Sequence, residues 1–202
     1  METVFHQEKK SARSVFDAAL KQVRWLDSYQ GPLVERRVVF HTQPAKAQFV
    51  KSFYITERNL IYLDTCLRSP FEAVREAASR ANHRVERVIE TAITQLDNLT
   101  KMQVEKAQKT GLKQVTRPGS GDEGVVYIMA PLANAYLDAI ARLDDLSMAI
   151  DTLWVAHVYS DEDRIKQAME GRKFLDQVYE ASSAGYHEVS RVYEETARGA
   201  RH

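Results

Sequence analysis

The sequence predicts a mainly α-helical protein that carries a single β-strand. Across most of the 202 residues, apolar side chains recur at steps of three and four, which is the spacing of an amphipathic helix. Only residues 33–44, LVERRVVFHTQP, alternate apolar and polar side chains as a strand does. We therefore divide the chain into an N-terminal helix (1–32), a strand-and-helix module (33–110), a loop (111–130) and a C-terminal helical extension (131–202).

The first helix is predicted from about residue 6 to Tyr29, where Gly31 and Pro32 end it. In the strand that follows, side chains alternate between two faces. One face holds Val34, Arg36, Val38, Phe40 and Thr42, and the other holds Glu35, Arg37, Val39 and His41. We expect Val38 and Phe40 to pack on the helices, which leaves the second face exposed.

Two further helices are predicted within the module. The first runs from Pro44 to about Leu67 and is weakened near Thr56 by β-branched and aromatic residues. The letters SPFE at 69–72 predict the start of the second, with Ser69 as N-cap in a capping box and Pro70 in the first helical position.

A heptad-like seam of apolar side chains follows this start. It runs from Phe71 to Ala92 at steps of three and four, and the helix extends to about Gly111. At about 40 residues, this helix is far longer than average and needs a partner along its length.

The C-terminal part is predicted to be helical after a polar, turn-rich loop. Residues 125–129, VVYIM, are either a short strand or the entry to the next helix. Pro131 opens a helix to about Val158, and SDED at 160–163 caps a last helix that reaches about Gly199, with an interruption expected near residues 182–185.

The composition is that of an ordinary soluble globular protein, with 44% hydrophobic and 28% charged residues. Cys66 is the only cysteine, which excludes an intrachain disulfide and favours a cytoplasmic location. No apolar run approaches the roughly 20 residues of a membrane span, so we expect no membrane partner.

The net charge of zero hides an uneven distribution along the chain. Residues 1–120 hold 20 Lys and Arg against 13 Asp and Glu, a net of +7, whereas residues 121–202 hold 8 against 15, a net of −7. Such a distribution is expected if the basic part binds a polyanion. An uneven surface charge that has no function would give the same net charges.

None of the sequence motifs predicts catalysis, a metal site or a cofactor. HEVSR at 187–191 has Arg191 where a zinc-protease helix has its second histidine. PGSGDEG lacks the Gly-Lys-Ser/Thr of a phosphate-binding loop, and the adjacent acids of LDD at 143–145 diverge on a helix. We therefore expect a binding protein, not an enzyme, with no evident small-molecule substrate.

The strand must pair with something, because its backbone N–H and C=O groups need partners. The economical partner is the same strand of a second copy, which would form an antiparallel ribbon across a homodimer. Such a ribbon fits the major groove of double-stranded DNA. Its outer face would then read base edges with Glu35, Arg37, Val39 and His41.

Two alternatives stay open. The strand pairs instead with VVYIM at 125–129, which would leave Arg36 and Arg37 as surface charges. Alternatively, the protein is a helical-bundle adaptor in which the seam from Phe71 to Ala92 binds a partner helix and DNA is not involved.

The order strand, helix, turn, capped helix over residues 33–92 resembles the ribbon-helix-helix family of DNA-binding proteins. The stretches FHTQPAKAQF, LRSPFEAVREAASRA and LDDLSMAIDTLW are similar to the AcaB-type regulators of conjugative plasmids and integrative elements. The resemblance implies a ribbon-helix-helix core, with one strand per chain paired across a dimer, inside long helical extensions. It also implies a transcriptional activator of conjugative transfer genes.

In the ribbon-helix-helix family, the start of the second helix grips a DNA phosphate through backbone amides. The resemblance assigns that role to Ser69 and Phe71 in this chain. Basic residues near the same module are further candidates for phosphate contacts; these are Arg36, Lys46, Arg68, Arg75 and Arg80.

Overall fold

The computed structural model describes residues 15–20, 29–112 and 121–200. They form five helices and two strands. In chain order these are α1 (Val15–Leu20), β1 (Val34–Phe40), α2 (Gln43–Cys66), α3 (Glu72–Lys109), β2 (Asp122–Ile128), α4 (Pro131–Val155) and α5 (Asp161–Gly199). The prediction of a mainly α-helical protein is confirmed, and the remainder of the predicted N-terminal helix lies outside the described residues.

The four long helices α2 to α5 form a bundle around the hydrophobic core. α3 packs along α4 and α5, and α2 packs on the same two helices. Their interface is aliphatic and aromatic, with Phe49, Phe53, Leu63, Leu137 and Leu143 fully buried. Burial of this apolar surface is the main contribution that stabilises the fold.

The two strands pair with each other, which overturns the predicted core. β1 and β2 are antiparallel in one two-stranded sheet, with Val34 opposite Ile128 and Phe40 opposite Asp122. A ribbon-helix-helix core with one strand per chain paired across a dimer is therefore wrong for this chain. The alternative, in which the strand pairs with VVYIM at 125–129, is confirmed for residues 125–128, and the partner strand also includes residues 122–124.

β2 was hard to recognise because of its glycine and its two leading acids. Asp122, Glu123 and Gly124 are residue types that strands disfavour, and they fall in the segment assigned to a loop. The packing explains the glycine: a Cβ atom at position 124 would lie 2.3 Å from the ring of Phe16. α1 covers the ribbon there, so a side chain at this position would displace it.

Of the predictions for α2 and α3, the weak point in α2 is not a break, and the start of α3 is wrong. α2 is continuous through Thr56. The capping box at Ser69 is wrong: α3 begins at Glu72 with Phe71 as its N-cap, and the Ser69 hydroxyl accepts a hydrogen bond from the Phe71 N–H at 3.3 Å. The chain therefore makes a short turn at Ser69 and Pro70 before the helix begins.

In the C-terminal part, α4 starts at Pro131 as predicted. The predicted cap of α5 is also confirmed, because Ser160 and Asp163 form a reciprocal capping box. The interruption expected near residues 182–185 is absent from α5. Gly185 instead allows close helix packing, since a Cβ atom there would lie 3.1 Å from the Cβ of Ala81 on α3.

The heptad-like seam faces the interior of the same chain. Its side chains Val74, Ala78, Ala81, Val85 and Ala92 are buried where α3 meets α4 and α5. A partner helix cannot reach this face. The adaptor hypothesis required the seam to be exposed for a partner helix, and the structure does not support that requirement. Within the described part of the chain, no helix has the combination of length and apolar character that crossing a membrane requires.

Candidate nucleic-acid interface

The outer face of the β1–β2 ribbon is open. On β1, the side chains of Glu35, Arg37 and Val39 are exposed, as the two-residue alternation predicted. Their partners across the ribbon are Tyr127, Val125 and Glu123, respectively. Arg37 thus lies among Val39, Val125 and Tyr127. The outer face also carries two carboxylates, Glu35 on β1 and Glu123 on β2.

The inner face packs on the helices. Phe40 is fully buried and stacks on Phe16 of α1, with ring centroids 5.7 Å apart, while Phe49 of α2 closes the cluster. Val38 is half-buried against the same core. The predicted inward positions of Val38 and Phe40 are therefore confirmed, and the ribbon is fixed to the bundle by aromatic packing.

Arg36 also belongs to the inner face. Its guanidinium donates hydrogen bonds to Asn134 at 2.7 Å and to Asp138 at 2.5 Å, both on α4. The side chain is about one-third exposed. Because Arg36 is held against α4, it ties the ribbon to the bundle and lies away from the outer face.

His41 turns inward at the end of β1. Its backbone N–H donates to the carboxylate of Asp144 on α4 at 2.9 Å, and its ring Nδ1 lies 3.0 Å from the same oxygen. Thr42 donates to the other oxygen from its N–H at 2.8 Å and from its hydroxyl at 2.7 Å. Of the four residues expected to read bases, the structure brings Glu35, Arg37 and Val39 together but not His41.

The Asp144 carboxylate fixes the joint between β1 and α2. The side chain of Thr42, the N-cap residue of α2, makes no hydrogen bond to the helix. Asp144 is buried, and it accepts the N–H groups of the two residues that precede the helix. This buried acid ties the end of β1 and the start of α2 to α4.

Side chains of α2 also bind the backbone of the ribbon at the end of β2. The N–H of Met129 donates to Glu57 Oε1 at 2.9 Å, and the backbone of Tyr127 hydrogen-bonds to the Tyr54 hydroxyl. Burial raises the pKa of Glu57 to about 8, and it also raises the pKa of Tyr54. Two side chains of α2 therefore satisfy the backbone along the edge of β2 that faces away from β1.

The candidate phosphate contacts lie at several places. Lys46 is close to the ribbon end, with its Nζ 3.4 Å from Asp122, and only 15% of its side chain is exposed. Arg68 is exposed at the turn between α2 and α3 and lines a cavity of about 600 Å³ together with Pro32 and Met129. Since Pro32 precedes β1 and Met129 follows β2, Lys46 and Arg68 lie near opposite ends of the ribbon.

The remaining candidates have local roles in the structure. Arg75 donates from Nη1 to the carbonyl groups of Ser69 and Pro70 and so braces the turn. Ser69 itself is buried, and Phe71 is half-buried. Arg80 is exposed on α3 with Glu76 beside it at 3.7 Å. None of these atoms lies on the ribbon.

Sequence reasoning missed the β2 half of the outer face and both buried acids. The run of β-branched and aromatic residues VVYI at 125–128 was a signal for the first. Asp144 is one of the two adjacent acids of LDD, and no periodic pattern marks a helical acid that reaches a distant backbone. Among the described residues, no group of three or more His, Cys, Asp or Glu is placed to hold a metal ion.

Comparison with known proteins identifies the fold. No protein-family model matches the chain, and no curated protein matches it. Among solved structures, the crystal structure of AcaB from uropathogenic E. coli is similar, with a TM-score of 0.76 over 85% of this chain and 88% of that one. The two sequences are 16% identical. At that identity the likeness shows a shared fold.

Proposed function

We propose that this chain, which shares the fold of AcaB, is a sequence-specific regulator that binds double-stranded DNA and activates conjugative transfer genes. The observation that carries the proposal is the open outer face of the β1–β2 ribbon, with Arg37 at its centre. In this role the protein acts in the cytoplasm, requires no cofactor and is not an enzyme.

A two-stranded ribbon has the width to enter the major groove. Arg37 suits the two acceptors of a guanine, and Val39 suits the methyl group of a thymine. Glu35 and Glu123 suit the amino group of a cytosine, although each carboxylate also repels nearby phosphates. The mixed charge of this face supports sequence-dependent binding over general attraction to a polyanion.

Phosphate contacts on either side of the ribbon would fix its position in the groove. Arg68 at one end is exposed, whereas Lys46 at the other must exchange Asp122 for a phosphate. Contacts of this kind position a protein without carrying sequence information. Their loss is therefore expected to weaken binding to all sequences alike.

We also propose that the protein acts as a homodimer. Leu33, which precedes β1, is 47% exposed, and Val34, the first residue of β1, is 64% exposed. Large exposed apolar side chains next to each other are a candidate contact between copies. A dimer would place two ribbons on a DNA site of two-fold symmetry, with the half-sites spaced by the helical repeat.

The test starts from selection of bound sequences out of a random double-stranded pool, followed by mobility-shift titration of the enriched site. Arg37→Ala is expected to reduce the preference for that site by roughly 10- to 100-fold, because one bidentate contact is worth about 1–3 kcal/mol. Arg191→Ala, at an exposed arginine of α5, is the matched control. Arg68→Ala is expected to weaken binding to every sequence and to lower its salt dependence.

Three outcomes would overturn the proposal or part of it. Failure of the wild-type protein to enrich any sequence would reject DNA reading altogether. An Arg37→Ala variant that keeps the full sequence preference would reject the ribbon as the reader. Sedimentation of the complex with one copy per symmetric site would reject the homodimer, and a reporter gene that does not rise with the site upstream would reject activation.

A further inference from the structure

Two side chains of α2 bind the backbone at the end of β2. Tyr127 and Met129 are two residues apart, so their N–H groups point to the same edge of the strand. Tyr54 and Glu57, which bind the backbone of these two residues, are three apart on α2 and therefore lie on one face of the helix. The end of the ribbon thus depends on two neighbouring side chains.

Glu57 is unusual among the side chains that bind the ribbon, because only one of its two carboxyl oxygens accepts a hydrogen bond from the described residues. The residue is fully buried, Oε1 accepts the Met129 N–H, and Oε2 is buried with no hydrogen-bond partner among the described residues. Within the described residues, the titratable group that interacts with Glu57 is Tyr54 of α2, and the end of β2 presents to it the uncharged Met129 N–H. Neither is a cation, so neither offsets the charge of an ionised carboxylate.

We propose that Glu57 is a protonation-controlled anchor of the ribbon: its neutral form holds the end of β2 against α2, and its ionised form releases that end to water. The physical reason is the cost of burying an unpaired charge. The Met129 N–H alone favours the carboxylate, but its effect is smaller than that of burial. The consequence for DNA binding rests on the proposed function, whereas the release of β2 does not.

The direction of the pH dependence follows from the raised pKa. In the open or unfolded state Glu57 titrates near 4.5, and in the closed state near 8. The closed contact therefore has its full stability below pH 4.5 and loses it progressively as pH rises to about 8. Over that interval the opening constant increases about tenfold per pH unit, and above it the constant levels off.

Amide hydrogen exchange followed by NMR measures this opening directly. The Tyr127 and Met129 amides are compared at pH 6, 7 and 8 after correction for the intrinsic rate of exchange. For the wild-type protein, the protection of Met129 is expected to fall about tenfold from pH 6 to 7 and about fivefold from pH 7 to 8, where Glu57 is half ionised in the closed state. Glu57→Gln keeps the carbonyl acceptor and cannot ionise, so its protection is expected to be the same at the three pH values.

Glu123→Gln is the matched control, because Glu123 is an exposed acid on the same strand. This variant is expected to keep the wild-type pH dependence. Protection of wild-type Met129 that does not change with pH would overturn the proposal, as would a Glu57→Gln variant with the wild-type slope. Neither result depends on DNA, so both are distinct from a failure of DNA binding.

A measurement on the wild-type protein keeps the proposal testable if Glu57→Gln fails to fold. Infrared difference spectra with ¹³C-labelled glutamate detect the carbonyl band of a protonated acid. One such band is expected to disappear with a midpoint near pH 8. Complete ionisation of all glutamates by pH 6 would reject the anchor.

Discussion

Replacement of Asp144 by alanine tests how the ribbon is joined to the bundle. The buried carboxylate accepts the N–H groups of His41 and Thr42 and the Thr42 hydroxyl, at 2.7–2.9 Å for the shortest contact of each. All three donors come from the two residues between β1 and α2. Removing the acceptor leaves them without a partner where water has little access.

The magnitude follows from the number and kind of these bonds. A hydrogen bond to a charged group contributes about 1.5–3 kcal/mol, and each buried donor that loses its partner costs about 1–3 kcal/mol. Some relaxation and entry of water will offset part of that sum. We therefore expect Asp144→Ala to lower the free energy of unfolding by roughly 3–5 kcal/mol, a large fraction of a typical domain's stability.

The assay is urea denaturation followed by circular dichroism, with Glu86→Ala as the control. Glu86 is an exposed acid on α3, so its replacement is expected to change stability by no more than about 0.5 kcal/mol. Asp144→Asn, which keeps one acceptor oxygen, should fall between the two. The reasoning is refuted if Asp144→Ala and Glu86→Ala have the same midpoint and slope.

Two further substitutions test packing and capping. Gly124→Ala places a Cβ atom 2.3 Å from the Phe16 ring and is expected to cost about 1–3 kcal/mol, whereas Gly199→Ala, with no atom within 4 Å, should be close to neutral in the same thermal unfolding experiment. Ser160→Ala removes the capping box of α5 and is expected to cost about 1 kcal/mol. Equal melting temperatures for the two glycine variants, or for Ser160→Ala and the wild type, would contradict these expectations.

The sequence was informative wherever a structure repeats along the chain. Steps of three and four identified the helices, because one buried stripe is enough to define an amphipathic helix. Of the two predicted N-terminal caps, one is confirmed and one is wrong. Ser160 has an acid three residues later and does cap α5. The same spacing at Ser69 leads instead to a turn, in which Arg75 binds the carbonyl groups of Ser69 and Pro70.

Sequence patterns do not indicate contacts between residues that are far apart in the chain. Asp144 is about 100 residues from Thr42, and Glu57 is about 70 from Met129, yet both contacts connect a helix side chain to a strand backbone. Backbone groups are the same at every position, so the sequence of one partner does not specify the other. Each acid stands out only when the fold is known and its burial can be seen.

Although the predicted partner strand was wrong, the predicted face of Glu35, Arg37 and Val39 is correct. Alternation has a period of two, and it assigns Glu35, Arg37 and Val39 to one side whichever strand lies next to β1. The partner instead determines what surrounds them: Glu123 and Val125 of β2 take the places that a second β1 would have filled. Arg37 therefore keeps its candidate role, while the surface that would read DNA with it is set by a strand about 90 residues further along the chain.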